Sequence, residues 1–186
     1  MSETRTPPAL GAPSRSRSEA LGAGRYAPVV TAEDWMDLAL DEARAALDHD
    51  DVPIGAIVVA PGGAVVARRH NEREKSGDPT AHAEVLALRD AAAQGMDGWR
   101  LEGHTLVATL EPCPMCAGAA LLARVDTVVF AAADPKAGAL GSLYNFAADP
   151  RLRHEMTLIS GVRAEESASL LQDFFRQQRS AGSLLD

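Results

Sequence analysis

The chain has 186 residues, 46% of them hydrophobic and 24% charged, with a net charge of −8. That length fits one domain with a sizeable core, and no apolar run approaches a membrane span or a signal-peptide core. The acid excess argues against nonspecific nucleic-acid binding, which goes with a basic footprint, and two cysteines cannot staple a fold, so a reducing, cytoplasmic location is expected.

Residues 1–28 are rich in Ser, Pro, Gly, Ala and Arg without apolar periodicity. Such a segment cannot bury enough surface to offset chain entropy. A disordered N-terminal extension is expected there, then one catalytic domain over 29–181 and a short tail over 182–186. Thr31 is a good helix cap with Glu33 and Asp34 in the first turn, and Trp35, Leu38, Ala39, Ala43, Ala46 and Leu47 follow at helical spacing. Ile54 to Val59 is a β-branched run, Pro61-Gly62-Gly63 a turn, and Ala64 to Ala67 a returning strand. Thr80 reads as the cap of a helix that carries His82 and Glu84 near its start. Thr105 to Thr109 predicts a strand, Cys116 to Ala123 a small-residue helix and Thr127 to Ala131 another strand. Met156 to Ile159 completes the strands and Glu165 to Arg179 closes the chain as a helix. This order predicts an α/β fold, a three-layer α/β/α sandwich around a five-stranded mixed sheet.

The chemistry concentrates in His82-Ala83-Glu84 and Pro112-Cys113-Pro114-Met115-Cys116, which holds the only two cysteines. Structural zinc sites close with four protein ligands, whereas catalytic ones use three and keep a position for water. Pro112 and Pro114 suit a helix entry, where unpaired amides lower a thiol pKa, and Cys113 and Cys116 lie one turn apart. Taken singly, Cys-x-x-Cys is a redox pair, His82 a core histidine and Glu84 a helix-cap acid. Jointly they predict a Zn2+ held by His82, Cys113 and Cys116, one ion per subunit, with Glu84 as the proton carrier.

These stretches resemble the zinc-dependent nucleoside and nucleobase deaminases, whose known signature is H-x-E…P-C-x-x-C. Within that cytidine deaminase-like superfamily the chain is most similar to the bacterial tRNA-specific adenosine deaminases, over about residues 33–179. The resemblance rests on Asp51 to Ala56, Asn71, Asp78 to Glu84, Thr109 to Ala119, Asp134 to Ser142 and Asp173 to Arg176. It implies an enzyme, a hydrolase acting on an amidine C–N bond, which converts adenosine to inosine at the wobble position of a tRNA anticodon. It also implies that Asn71 reads the flipped adenine, although Asn71 on its own reads first as an Asx-turn residue closing the hairpin. By the same resemblance Asp134, Lys136 and Ser142 lie near the anticodon stem-loop and His154 near the flanking bases, with Arg153 standing where the family commonly has Asn. A homodimer is implied as well, for which the small-residue helix Ala117 to Leu122 is a plausible surface.

Arg68, Arg69, Arg73, Lys136, Arg151 and Arg153 could form a local basic patch despite the global charge, since screening limits charges to about 8–10 Å. Two other functions share these residues. One is a deaminase of free guanine, cytosine or related nucleosides and nucleotides. The other is a non-catalytic zinc-stabilised RNA-binding module, which needs a fourth protein ligand.

Overall fold

The computed structural model describes residues 30–94, 98–180 and Gly182. The expected extension 1–28 and, Gly182 apart, the tail 182–186 lie outside these residues. Helix α1 (Ala32–Ala45) starts as expected at Thr31. The Thr31 hydroxyl accepts the Asp34 N–H at 3.2 Å and the Asp34 carboxylate accepts the Thr31 N–H at 2.7 Å. This reciprocal cap satisfies two N–H groups that helix geometry leaves unpaired.

A 3-10 turn (Ala46–His49) leads to β1 (Gly55–Val59) and β2 (Val65–His70), which pair antiparallel. Then come α2 (Arg73–Ser76), α3 (Ala83–Gln94), β3 (Thr105–Leu110), α4 (Pro114–Leu122), β4 (Thr127–Ala132), β5 (Thr157–Ser160) and α5 (Ala164–Ser180). The five strands make one mixed sheet in the order β2-β1-β3-β4-β5. β1 is antiparallel to both neighbours, and β3, β4 and β5 run parallel.

The period-2 alternation of strands splits the core into two layers. Ala56, Val58, Leu106, Ala108, Val128 and Phe130 face one way, against Ala87, Leu88 and Ala91 of α3 and Ala117 and Ala120 of α4. Ile57, Val59, Val107, Val129 and Ala131 face the other way, against Met36 and Leu40 of α1. α5 lies on the α1 side: its Ser167 hydroxyl donates to the Thr109 carbonyl, and Glu166 pairs with Arg44. Each fully buried Val, Ile or Leu contributes roughly 1.5–3 kcal/mol, so both layers are needed to hold the sheet. Gly55 permits the close approach of α1, because a Cβ there would lie 2.0 Å from the Ala39 carbonyl oxygen.

Several boundaries differ from expectation: α4 starts two residues early, at Pro114, β1 starts and β5 starts and ends one residue late, and two further differences have a clear cause. β2 runs three residues past Ala67, because Arg68 and Arg69 point to opposite faces and find Glu42 of α1 and Asp90 of α3. Thr80 does not cap α3: its N–H and hydroxyl both go to Asp78 Oδ1, at 2.8 and 2.7 Å, closing an Asx turn ahead of the helix. No described helix is long and apolar enough to cross a membrane.

Candidate metal centre and active-site pocket

The site forms at the carboxyl ends of the parallel strands, where open α/β sheets leave a crevice. β3 ends at Leu110 and releases Glu111 and Pro112. Cys113 then caps α4 in extended geometry, with φ −70° and ψ 173°. Pro114 takes the first helical turn, where its missing N–H forfeits nothing. Cys116 stands one turn further on. From the other side His82 just precedes α3, its carbonyl accepting the Leu86 N–H at 3.0 Å, and Glu84 falls in the first turn.

Three donor atoms converge there. His82 Nδ1 lies 3.8 Å from Cys113 Sγ and 3.5 Å from Cys116 Sγ, and the sulfurs are 3.6 Å apart. Zinc–sulfur bonds of about 2.3 Å and zinc–nitrogen bonds of about 2.0 Å give a tetrahedron with edges of roughly 3.5–3.8 Å. A disulfide needs sulfurs about 2.05 Å apart, so these are free thiols poised around a common point. Among the described residues this is the one group of three His, Cys, Asp or Glu side chains so disposed.

The electrostatics fit a cation. A hydrogen bond from Cys116 pulls the Cys113 thiol down to about 4, against burial and with help from His82. The same bond, then burial, pushes Cys116 up, and a dication held by both sulfurs would displace its proton. The hydrogen bond with Cys113 raises His82, with burial opposing. Glu84 is 4% exposed, burial pushes its carboxyl up, and its Oε2 has no hydrogen-bond partner among the described residues. Leaving such an atom unpaired costs on the order of 1–3 kcal/mol. A metal with an open corner and a water beside it satisfies that oxygen, so the donor set and the orphaned carboxylate fit zinc.

His82 lines the floor of a pocket of about 630 Å³. Val52, Ile54, Leu110, Leu171 and Phe175 supply apolar wall, and Asn71, Arg73, Asp134, Lys136 and Gln172 supply polar groups. Of the predicted substrate-contacting residues, Asn71, Asp134 and Lys136 therefore meet at this pocket. Ser142 lies outside it, hydrogen-bonded to Glu111, and His154 turns its Nε2 to the Val125 carbonyl at 2.7 Å. The expected basic patch divides. Arg73, which also pairs loosely with Glu74 at 3.7 Å, and Lys136 line the pocket, whereas Arg68, Arg69 and Arg151 lie away from it, paired with Glu42, Asp90 and Asp149. A second cavity of about 480 Å³ shares Lys136, Leu171, Gln172 and Phe175 with the first and adds Arg176 and Arg179. That cationic extension along α5 was carried by Phe175, Arg176 and Arg179 at helical spacing, a signal visible in the sequence.

Two further carboxylates shape the pocket without a signal of their own. Glu111, 2% exposed, accepts the N–H groups of Asp134, Leu140 and Ser142, each at 3.0 Å, and the Ser142 hydroxyl. Burial alone would raise its carboxyl, but these hydrogen bonds, led by Ser142, bring it below the ordinary glutamate range. Gly138 is required under this clasp, because a Cβ would meet the Glu111 carboxyl carbon at 2.3 Å. Asp51, fully buried, binds the Asn71 amide and the first turn of α2.

Residues 30–132 match the cytidine and deoxycytidylate deaminase zinc-binding region. The chain is 48% identical to the tRNA-specific adenosine deaminase of Bacillus subtilis, over 79% of this chain and 90% of that protein. It is also 47% identical to a tRNA(Ile)-lysidine synthase of Deinococcus radiodurans, over 77% of this chain but 24% of that protein. Among solved structures, it is similar to one from work on A-to-I editing by tRNA:A34 deaminases at the wobble position of transfer RNA. That match has a TM-score of 0.70 at 43% identity and covers 74% of this chain and 98% of the other. A guanine deaminase from Nitrosomonas europaea gives a TM-score of 0.65 at 26% identity, covering 78% of this chain and 85% of the other.

Proposed function

The chain belongs to the tRNA-specific adenosine deaminases of the zinc-binding cytidine and deoxycytidylate deaminase family, and on that premise we propose how its residues carry out the reaction. It is a tRNA adenosine deaminase that converts adenosine to inosine at the wobble position of an anticodon. The observation that carries this reading is the buried Glu84 oxygen, without a partner among the described residues, beside three converging metal donors of which His82 lines a base-sized pocket.

A single-stranded anticodon loop can splay one base into such a pocket at modest unstacking cost. The apolar walls of Val52, Ile54 and Leu110 exclude water from the base faces. Asn71 offers an amide, a side chain that pairs bidentately with adenine. His82, Cys113 and Cys116 hold zinc, which when bound supplies a Lewis acid that makes water nucleophilic at neutral pH. Glu84 takes a first proton from the attacking water and delivers it to the purine ring nitrogen, then takes the second from the newly formed hydroxyl and passes it to the departing amine. The new bond is carbon to oxygen, the broken one carbon to the exocyclic nitrogen; adenosine and water become inosine and ammonia. Arg73, Lys136, Arg176 and Arg179 flank the entrance as the phosphate-facing groups, which reconciles RNA binding with the net charge of −8.

The closed, non-catalytic zinc module is disfavoured by the other histidines. His49 bonds Asp51, His70 bonds Glu42, His104 the Glu102 carbonyl and His154 the Val125 carbonyl. Mass spectrometry of an anticodon stem-loop incubated with the protein tests the substrate. Inosine at the wobble position is the expected product; turnover of free guanine or cytidine alone would replace this reading with the free-base one.

The enzyme acts in the cytoplasm as a homodimer. An apolar surface supports the second copy: Gly118, Leu121, Leu122, Phe146 and Leu152 line a shallow cavity, and Leu122 is 71% exposed. Light scattering at micromolar concentration should give twice the chain mass, and a monomer removes this assignment.

A further inference from the structure

We propose that Asp51 is a positioning residue that locks the orientation of the Asn71 amide and so sets which purine edge the pocket accepts, an inference that rests on the deaminase reading above. Asp51 stands between the 3-10 turn and β1 and is fully buried. Its Oδ1 accepts the Asn71 Nδ2 at 3.2 Å and the Glu74 N–H at 2.9 Å. Its Oδ2 accepts the Lys75 N–H at 3.1 Å and His49 Nδ1 at 2.9 Å. Backbone N–H groups can only donate, and a carboxylate offers about four lone-pair sites. The oxygen that meets Asn71 also holds the Glu74 N–H, which can only donate, so Oδ1 faces the amide as an acceptor.

An amide's oxygen and nitrogen ends have the same shape, and only the surrounding partners decide which end points where. Here the partner is acceptor-only, so the NH2 end faces Asp51. The Asn71 backbone is held as well, its N–H bound to the Ile54 carbonyl at 2.9 Å. Asn71 is 3% exposed, so turning the amide over would bury an oxygen against a carboxylate with no water to relieve it. What remains for the pocket is Oδ1 as acceptor and one N–H as donor, in fixed order. That order matches the amine and N7 of adenine. A 6-oxo purine, guanine or the product hypoxanthine, sets its O6 against Oδ1, acceptor to acceptor. The lock therefore favours the aminopurine substrate and disfavours retention of the product.

Binding of anticodon stem-loops that carry adenosine or inosine at the target position tests this without requiring turnover. Anisotropy titrations compare wild type, D51N, N71A and the double variant, with zinc content measured on each. Wild type should prefer the adenosine loop by at least about ten-fold, since unpaired polar groups reject the wrong ligand strongly. D51N should bring the ratio towards one with zinc retained, and should change nothing further in the N71A background. An unchanged ratio in D51N, or an equal further loss on top of N71A, overturns the proposal. Should D51N fail to fold, side-chain hydrogen exchange of wild type decides: Asn71 amide protons protected by Asp51 support the lock, and exchange at the solvent rate overturns it. If the protein binds no stem-loop RNA, the wobble reading fails by itself, and the same comparison runs on adenine and hypoxanthine.

Discussion

Glu84 and Glu111 are both buried glutamates at the mouth of the same sheet, 4% and 2% exposed, and they are opposite in every other respect. Glu111 takes three backbone N–H groups and a hydroxyl, and its carboxyl sits below the usual range. Glu84 has an oxygen with no partner among the described residues, and burial pushes its carboxyl up. Burial is common to both, so it does not decide the role. The donors do: a carboxylate surrounded by N–H groups is a clasp, and one left short of partners beside metal donors is available for proton transfer.

The comparison can be broken from the reactive side first. Cys113→Ala should eliminate zinc and inosine formation together, measured by metal analysis and by mass spectrometry of the RNA. Stoichiometric zinc in that variant would remove Cys113 from the ligand set. Attacking the clasp has a smaller effect. Glu111→Gln turns an NH2 against groups that already donate, costing about 2 kcal/mol in denaturant melts and raising hydrogen exchange over 134–142. Because the Glu111 carboxyl is lowered in the fold, its contribution is complete above the ordinary glutamate range and lost as pH falls through the lowered value. An acid melt of wild type against Glu111→Gln should therefore converge at low pH. Parallel acid profiles would show that the clasp is not a charged one.

Smaller still are changes at the pocket rim. Arg73→Ala and Lys136→Ala should each weaken stem-loop binding and reduce the salt slope of log K by about 0.7, the value for one single-strand phosphate contact. An unchanged slope would remove that residue from the RNA path. Far from both carboxylates, Thr31→Ala should lower stability by about 1 kcal/mol through the lost cap and leave inosine formation untouched.

The architecture was legible where a residue's role depends on its neighbours in sequence. β1, β3 and β4 are short apolar runs with both faces buried, and α1 carries its own cap in Thr31 and Asp34. The metal donors were legible because His82 and the two cysteines arrive in two short stretches with open-site spacing. What stayed hidden depends on distant backbone. Glu111 acts through N–H groups 23 to 31 residues away, and Asp51 through Glu74 and Lys75, 23 and 24 residues away. Helix α2 is four residues long with no buried face, so no periodicity announced it. Arg68 and Arg69 hid the end of β2, since charged residues look like loop until Glu42 and Asp90 are placed beside them.

The most direct test is Glu84→Gln assayed for zinc and for inosine on one preparation. Full zinc occupancy with inosine formation reduced on the order of 10³-fold is the predicted result, in line with loss of a general acid–base. Wild-type turnover by that zinc-loaded variant would contradict the assignment of the partnerless carboxylate as the proton carrier.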